Sequence, residues 1–181
     1  MKKLLVIAVF LVSAGALKAQ EINNQQAIKI NPLSLFVITG NVAYERATGD
    51  NQSLQVGVFY SGVSISGLKY SGLGITPEYR FYFAGHREAL NGVYAAPFLR
   101  YQSFTFKDKE TTEKANFSSF GGGATIGWEK TWTSGFVLDL FAGPSYNSGR
   151  FKNDADEDQF DVSSGINGFG IRTGITLGFA F

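Results

Sequence analysis

The chain has 181 residues, no cysteine, and 16 Lys and Arg against 15 Asp and Glu, which leaves a formal net charge of +1. This balance provides no strong field for nucleic acid, and without cysteine neither a disulfide framework nor a lipidated N-terminal cysteine is expected. Seventeen Phe, eight Tyr and 22 Gly are the unusual counts, and they suit pleated strands and tight turns.

The N-terminus has the pattern of a secretory signal peptide. Lys2 and Lys3 precede an apolar run over residues 4–12, and small residues follow as far as Ala19. The run is too short for a transmembrane helix, which needs about 20 residues. We predict a signal peptide over residues 1–19, with cleavage after Ala16 as an alternative, and one exported domain over residues 20–181. A retained membrane anchor is the other interpretation of this segment.

Eight later segments alternate apolar and polar residues with the period of two that strands require. Pro32 interrupts the first segment, so we expect a bend or bulge there, and residues 27–48 form either one bent strand or two. No later segment keeps a 3.6-residue period, so almost no helix is expected. The predicted strands are 27–36, 42–48, 54–60, 73–83, 93–106, 115–130, 136–146 and 168–181.

The predicted connections differ in length. Short turns are expected near residues 50, 87 (at 84–91) and 132, and longer loops near 66 (at 62–72), 110 and 156, whereas the first connection, near Thr39, is short. In outer-membrane barrels short turns alternate with longer loops at the opposite end. The even strand count and this alternation put both termini at the end with the short turns.

The last strand shows the two faces most clearly. Phe169, Leu177, Phe179 and Phe181 fall on one side, and the other side, which includes Arg172, is small or polar. Because the same pattern recurs behind a predicted export signal, it indicates lipid outside and polar side chains inside. We therefore predict an all-β, eight-stranded antiparallel up-and-down transmembrane β-barrel. A soluble lipocalin-like barrel, with the apolar faces turned inward, is the alternative.

The polar faces of the strands carry charged residues of both signs. An eight-stranded barrel has room inside only for its own side chains or one small ligand, and charges there must be paired. We predict a closed lumen filled by a salt-bridge network, with Lys29 as a less certain member; a narrow conduit or small-ligand pocket is the alternative. The predicted network consists of Glu45, Glu78, Arg80, Arg100, Glu129, Asp139 and Arg172.

With its predicted signal peptide, eight alternating segments and the aromatic end Leu177-Gly178-Phe179-Ala180-Phe181, the chain resembles the small eight-stranded outer-membrane barrels of the OmpA-barrel and OmpX type. This architectural resemblance implies a monomer in the outer membrane of a Gram-negative bacterium, in contact with lipid and lipopolysaccharide, with periplasmic termini. It also implies that Leu177, Phe179 and Phe181 are read by the barrel assembly machinery. No peptidoglycan-binding domain is expected after the barrel.

Other motifs give weaker signals. The acidic run at residues 154–158 lacks the Gly and Glu of a calcium loop, because Gln159 and Gly165 occupy those positions. Loose binding of divalent cations that bridge this run to lipopolysaccharide phosphates stays a hypothesis. No helix is expected after Gly121-Gly122-Gly123, so this run is interpreted as room for strand curvature or a neighbouring ring, not as a phosphate site. Aromatic residues near the strand ends suit interfacial girdles, and sugar stacking is the weaker interpretation.

The sole histidine, His86, falls in a predicted periplasmic turn, away from any outer-rim serine that it could activate. We therefore expect no catalysis, no cofactor and no metal. The predicted function is a structural or surface-interaction role in the outer membrane. A barrel that binds or conducts a small ligand is the first alternative, and an outer-membrane lipid-modifying enzyme is the second.

Overall fold

The chain forms one closed barrel of eight antiparallel strands, each paired with its neighbour in the sequence, with the last strand paired to the first. The computed structural model describes residues 25–65, 68–108, 114–153 and 168–181. The predicted all-β, eight-stranded barrel is confirmed. Its strands are β1 (Gln26–Ile30), β2 (Thr39–Gly49), β3 (Gln52–Ile65), β4 (Leu68–Glu88), β5 (Asn91–Asp108), β6 (Lys114–Thr131), β7 (Phe136–Asn153) and β8 (Gly168–Ala180).

The strands are staggered around the barrel. Ala27 of β1 lies opposite Ala180 of β8. Followed in the other direction through β2 to β7, the same row of paired residues reaches β8 at Gly170, ten residues from Ala180. A stagger of this kind requires strands that are tilted from the barrel axis. It brings residues that are far apart in the sequence to the same level of the lumen.

The two faces of the sheet differ as the alternation predicts. On β8, the outward Phe169 and Ile171 are 91% and 82% exposed, whereas the inward Thr176 is buried. On β4, Glu78 and Arg80 point inward and are buried, whereas Phe81 is exposed. Apolar side chains therefore cover the outside and charged side chains fill the inside, so the alternative with apolar faces turned inward is wrong.

The first predicted strand is wrong beyond Ile30. A short 3-10 helix, η1 (Pro32–Val37), replaces its second half and joins β1 to β2. The side chain of Asn31 caps it by accepting hydrogen bonds from the backbone N–H groups of Leu33, at 3.0 Å, and Ser34, at 3.3 Å. Pro32 therefore begins a helical turn, where its missing N–H is not needed, instead of bending a strand.

Two predicted loops are shorter than expected. β3 and β4 remain paired as far as Ile65 and Leu68, within the predicted loop at 62–72. β5 and β6 remain paired as far as Lys107 and Lys114. Backbone pairing does not depend on side-chain polarity, so Ser- and Gly-rich segments continue the ladder. Of the third predicted loop, β7 includes the part up to Asn153; the acidic run at 154–158, like the signal peptide, lies outside the described residues.

At the end where β1 begins and β8 ends, called here the end with the termini, the barrel has short turns. The turn at 50–51 is confirmed, but the predicted turn at 84–91 is only two residues long, at Ala89 and Leu90, because β4 continues to Glu88 through irregular pairing. His86 therefore lies in a strand. Leu90 adopts a positive φ of 65° and is fully buried beside Ala27, Val137 and Ala180. This apolar cluster closes the lumen at the end with the termini.

Aromatic rings pair on the outside near both ends of the barrel. Tyr79 and Phe81 have ring centroids 4.9 Å apart, and Trp132 and Phe136 have centroids 5.4 Å apart, at the end with the termini. Tyr146 packs against a ring of β8 at the other end. Within the described ranges, no helix has the length and apolarity that crossing a membrane would require.

Candidate functional site

The ammonium group of Lys29 lies inside the barrel among three carboxylates. Its Nζ donates hydrogen bonds to Glu45, to Glu129 at 2.8 Å and to Asp139 at 3.3 Å. All four side chains are fully buried. Because a buried ion is tolerated only with well-placed partners, this lysine of β1 joins acids of β2, β6 and β7 into one cluster.

Arg80 of β4 binds the same carboxylates from another direction. Its Nη1 lies 3.1 Å from Glu45, 3.0 Å from Glu129 and 2.9 Å from Asp139. Its Nε donates to Glu78 at 2.7 Å. Two cations thus share three carboxylates, and Arg80 links this cluster to a fourth.

Two tyrosines complete the cluster. The hydroxyl of Tyr82 lies 2.7 Å from Glu45 and 2.5 Å from Glu129, and the hydroxyl of Tyr94 donates to Asp139 at 2.8 Å. The guanidinium carbon of Arg80 is 4.3 Å from the centroid of the Tyr94 ring. A Cβ at position 127 would lie 2.3 Å from this ring, so glycine there makes room for it.

A second cluster surrounds Arg172 of β8. Its guanidinium group forms an ion pair with Glu78. The guanidinium carbon is 4.4 Å from the centroid of the Phe98 ring and 4.6 Å from that of Phe141. Glu78 therefore binds both Arg80 and Arg172 and connects the two clusters.

Arg100 is the exception among the predicted network residues. It lies inside the barrel, where its Nε donates to Thr76 Oγ1 at 3.2 Å and its guanidinium carbon is 5.8 Å from the Phe98 centroid. In the part of the chain that the structure describes, Arg100 has no carboxylate within ion-pair distance, unlike the other six predicted residues. Its expected ion pair is therefore not found among the described residues, where its Nε donates to a hydroxyl instead.

Lys29, the less certain member of the predicted salt-bridge network, lies at the centre of the observed network. Sequence reasoning did not single out Tyr94, although it occupies an inward position on β5. Its position was the only available signal, since the alternation shows which side chains enter the lumen but not which of them meet.

The other motifs considered in the sequence form no binding site within the described residues. Within the described residues there is no group of Asp, Glu, His or Cys side chains that could hold a metal ion. At Gly123, an added Cβ would lie 2.2 Å from the carbonyl oxygen of Pro144, so this glycine allows β6 and β7 to approach closely. At the C-terminus, Leu177 and Phe179 pair with Ile30 and Ile28 of β1.

The comparisons with known proteins agree with the architecture. A crystal structure of a major outer membrane protein from Thermus thermophilus matches with a TM-score of 0.50 and 12% identity over 86% of this chain and 99% of that chain, which shows a shared fold. The architectural resemblance to outer-membrane barrels is thereby confirmed. No curated protein matches the sequence. The model of a family described as a protein of unknown function, DUF3575, matches residues 5–165, and the chain therefore belongs to that family.

Proposed function

We propose that this protein is an integral outer-membrane barrel with a structural or surface-interaction role and no catalytic activity. The supporting observation is the inversion of polarity between its two faces. Arg80, Lys29 and Glu45 are among the largest fully buried side chains, whereas Phe169 and Ile126 are 91% and 64% exposed. A barrel in lipid requires an apolar outer surface, with its polar side chains inside.

The orientation follows from the positions of the turns. The turns at 50–51 and 89–90 lie at the end of the barrel where β1 begins and β8 ends, and in outer-membrane barrels the end with the short turns faces the periplasm. The protein is a monomer in contact with lipid and lipopolysaccharide. Its outward C-terminal residues Leu177, Phe179 and Phe181 are the signal for the barrel assembly machinery during insertion.

The absence of catalysis rests on the state of the charged groups. The carboxylates of Glu45, Glu129 and Asp139 are held in ion pairs with Lys29 and Arg80 in a fully buried cluster. A general acid or base must instead reach a substrate. The cluster therefore acts as a plug that ties the strands together.

The membrane location is tested with two tryptophans. Trp128 and Trp132 are 40% and 39% exposed on the outside. We expect the protein to require detergent for extraction, and we expect lipids with brominated acyl chains to quench the fluorescence of both tryptophans in reconstituted vesicles. Extraction by salt or alkali alone, together with unchanged fluorescence, would contradict the proposal.

A second candidate function, binding of a small ligand, is favoured by Arg100. It is the one predicted network cation without an ion pair among the described residues, and it lies in the same half of the lumen as Arg172. A cation without a counter-ion is available to an anionic ligand.

A further inference from the structure

One side of the barrel wall is incomplete. β1 ends at Ile30, opposite Leu177, whereas β8 continues to Gly168. Within the described chain, the stretch of β8 over residues 168–176 is paired with β7 only. η1 lies against both β2 and β8 in place of a strand, and no backbone hydrogen bond joins η1 to β8 there. Between β2 and β8, in the half of the barrel away from the termini, the hydrogen-bonded ladder is therefore interrupted and the gap is covered by η1; we call this interruption the opening.

The border of this opening is apolar and strained. Phe36 is 86% exposed on η1, and Phe169 and Ile171 are 91% and 82% exposed on β8. Ile38, at the end of η1, has a φ of 53°, which is unusual for a β-branched residue. Backbone without a partner is unfavourable in hydrocarbon unless it lines a cavity, and strained backbone concentrates at functional sites. These features suit an entrance better than a closed wall.

An open groove begins beside this entrance on the outer surface. It has a volume of about 580 Å³ and starts at Leu33 of η1 and at Thr173 and Ile175 of β8. It then passes over β7 and β6 at Leu140 and Trp128. The side chains that line the groove are mostly apolar and therefore suit an acyl chain.

Inside the entrance there are two guanidinium groups, and the described residues provide an ion pair for only one of them. Arg100 and Arg172 contact the same Phe98 ring, and only Arg172 has an ion pair among the described residues. The Nε of Arg172 and the Oγ of Ser119 are buried without hydrogen-bond partners in that part of the chain. Ser119 is 1% exposed. Guanidinium groups bind carboxylates and phosphates well because their donors match the spacing of the oxygens.

We propose that the barrel binds a single-chain amphiphile with an anionic head group, which enters laterally between β2 and β8. The head group, a carboxylate or a phosphate, binds Arg100 and Arg172, while the acyl chain lies in the groove that starts at Leu33. The salt-bridge cluster around Lys29 closes the lumen below the head group, so the ligand is held and does not pass through. This inference rests on the membrane location proposed above.

Binding is measured in vesicles by energy transfer from tryptophan to a dansyl-labelled fatty acid, since Trp128 lines the groove. We expect saturable transfer, and we expect Arg100→Gln to raise the dissociation constant at least about tenfold, as loss of a charge-assisted hydrogen bond does. Arg100→Lys should recover part of the affinity. The uncharged methyl ester of the same probe should bind wild type at least as weakly as the acid binds the Gln variant, because the ester loses its interaction with both guanidinium groups. Equal affinity of acid and ester, or of wild type and Arg100→Gln, would overturn the proposal.

The route of entry is tested with a single cysteine, which the chain otherwise lacks. A bulky maleimide on Ile171→Cys, at the border, should abolish transfer. The same label on Leu73→Cys, a 55% exposed outward site away from the groove, should leave it unchanged. Equal effects at both sites would contradict lateral entry. Unlabelled fatty acid and lysophosphatidic acid as competitors distinguish a carboxylate from a phosphate ligand. Insertion into vesicles is measured first by flotation; failure to insert would overturn the membrane location itself.

Discussion

Lys29 shows how strongly a single residue of the lumen depends on its neighbours. It contributes one of the two cations that form ion pairs with Glu45, Glu129 and Asp139. All of these groups are fully buried, so water cannot replace a lost partner. A substitution here therefore changes the balance of the whole cluster and not one contact alone.

We expect Lys29→Met to lower the free energy of unfolding by about 3–5 kcal/mol, the cost of breaking a buried ion pair by removing one partner. The measurement is urea unfolding in detergent micelles, followed by tryptophan fluorescence. The double variant Lys29→Met/Glu45→Gln, which also removes one acid, should be more stable than the single variant. If both variants unfold at the wild-type urea concentration, the cluster does not stabilise the barrel.

Tyr82→Phe removes the hydroxyl that contacts Glu45 and Glu129 and keeps the ring. Because hydrogen bonds to charged groups contribute about 1.5–3 kcal/mol, we expect a loss of stability of that size in the same unfolding experiment. Tyr146→Phe is the matched control, since Tyr146 is 53% exposed on the outside. Equal losses of stability in the two variants would show that the contacts of Tyr82 with Glu45 and Glu129 do not stabilise the barrel.

At the scale of single elements, β6 and β7 are held close together where β6 is rich in glycine. The Gly121–Gly123 segment was expected to provide curvature or room for a ring. A Cβ at position 123 would meet the backbone of β7 and lie 3.1 Å from the Phe98 ring, so the structure supports a close approach of strands as well as room for a ring.

We therefore expect Gly123→Ala to destabilise the barrel by about 1–3 kcal/mol, as overpacking does. The added methyl group would lie 2.2 Å from the carbonyl oxygen of Pro144, which cannot rotate away. Gly40→Ala is the control, because a Cβ at position 40 would lie 3.8 Å from its nearest neighbour, the carbonyl oxygen of Tyr60. Thermal unfolding of the two variants in the same detergent tests the difference; a greater effect at position 40 would contradict it.

The strand predictions succeeded where the apolar face was continuous and failed where it was not. The boundaries of β8 were predicted closely because Phe169 to Phe181 keep one period throughout. β3 and β4 extend beyond their predicted ends because Ser- and Gly-rich stretches look like loops although their backbones remain paired. Pro32 was recognised as a break, but its role as the first residue of η1 depends on the cap supplied by Asn31.

At the scale of the whole molecule, buried side chains occupy the lumen at two levels. The ion pairs around Lys29 and Arg80 fill its middle, and the apolar cluster at Leu90 closes the end with the termini. Eight-stranded barrels of this kind have interiors just wide enough for their own side chains, unlike the 16–18-stranded porins, which enclose an aqueous channel.

We therefore expect no porin-like conductance when the protein is inserted into planar lipid bilayers. The measurement is single-channel recording, with a 16-stranded porin as the positive control. The lateral entrance proposed above does not alter this expectation, because it leads only to the half of the lumen away from the termini. Steady channels of porin size would show that the charged cluster leaves an open path.

The sequence by itself determined the strands, the two faces and the set of charged residues inside, because a period of two is a local property of extended chain. The tertiary structure decided which of these residues meet. Closure with a stagger of ten residues between Ala180 and Gly170 brings Lys29 to the acids of β6 and β7 and leaves Arg100 without an ion pair among the residues that the structure describes. The early end of β1 is likewise visible only in the paired barrel, since an opening in the wall is a property of how strands pair and not of any one strand.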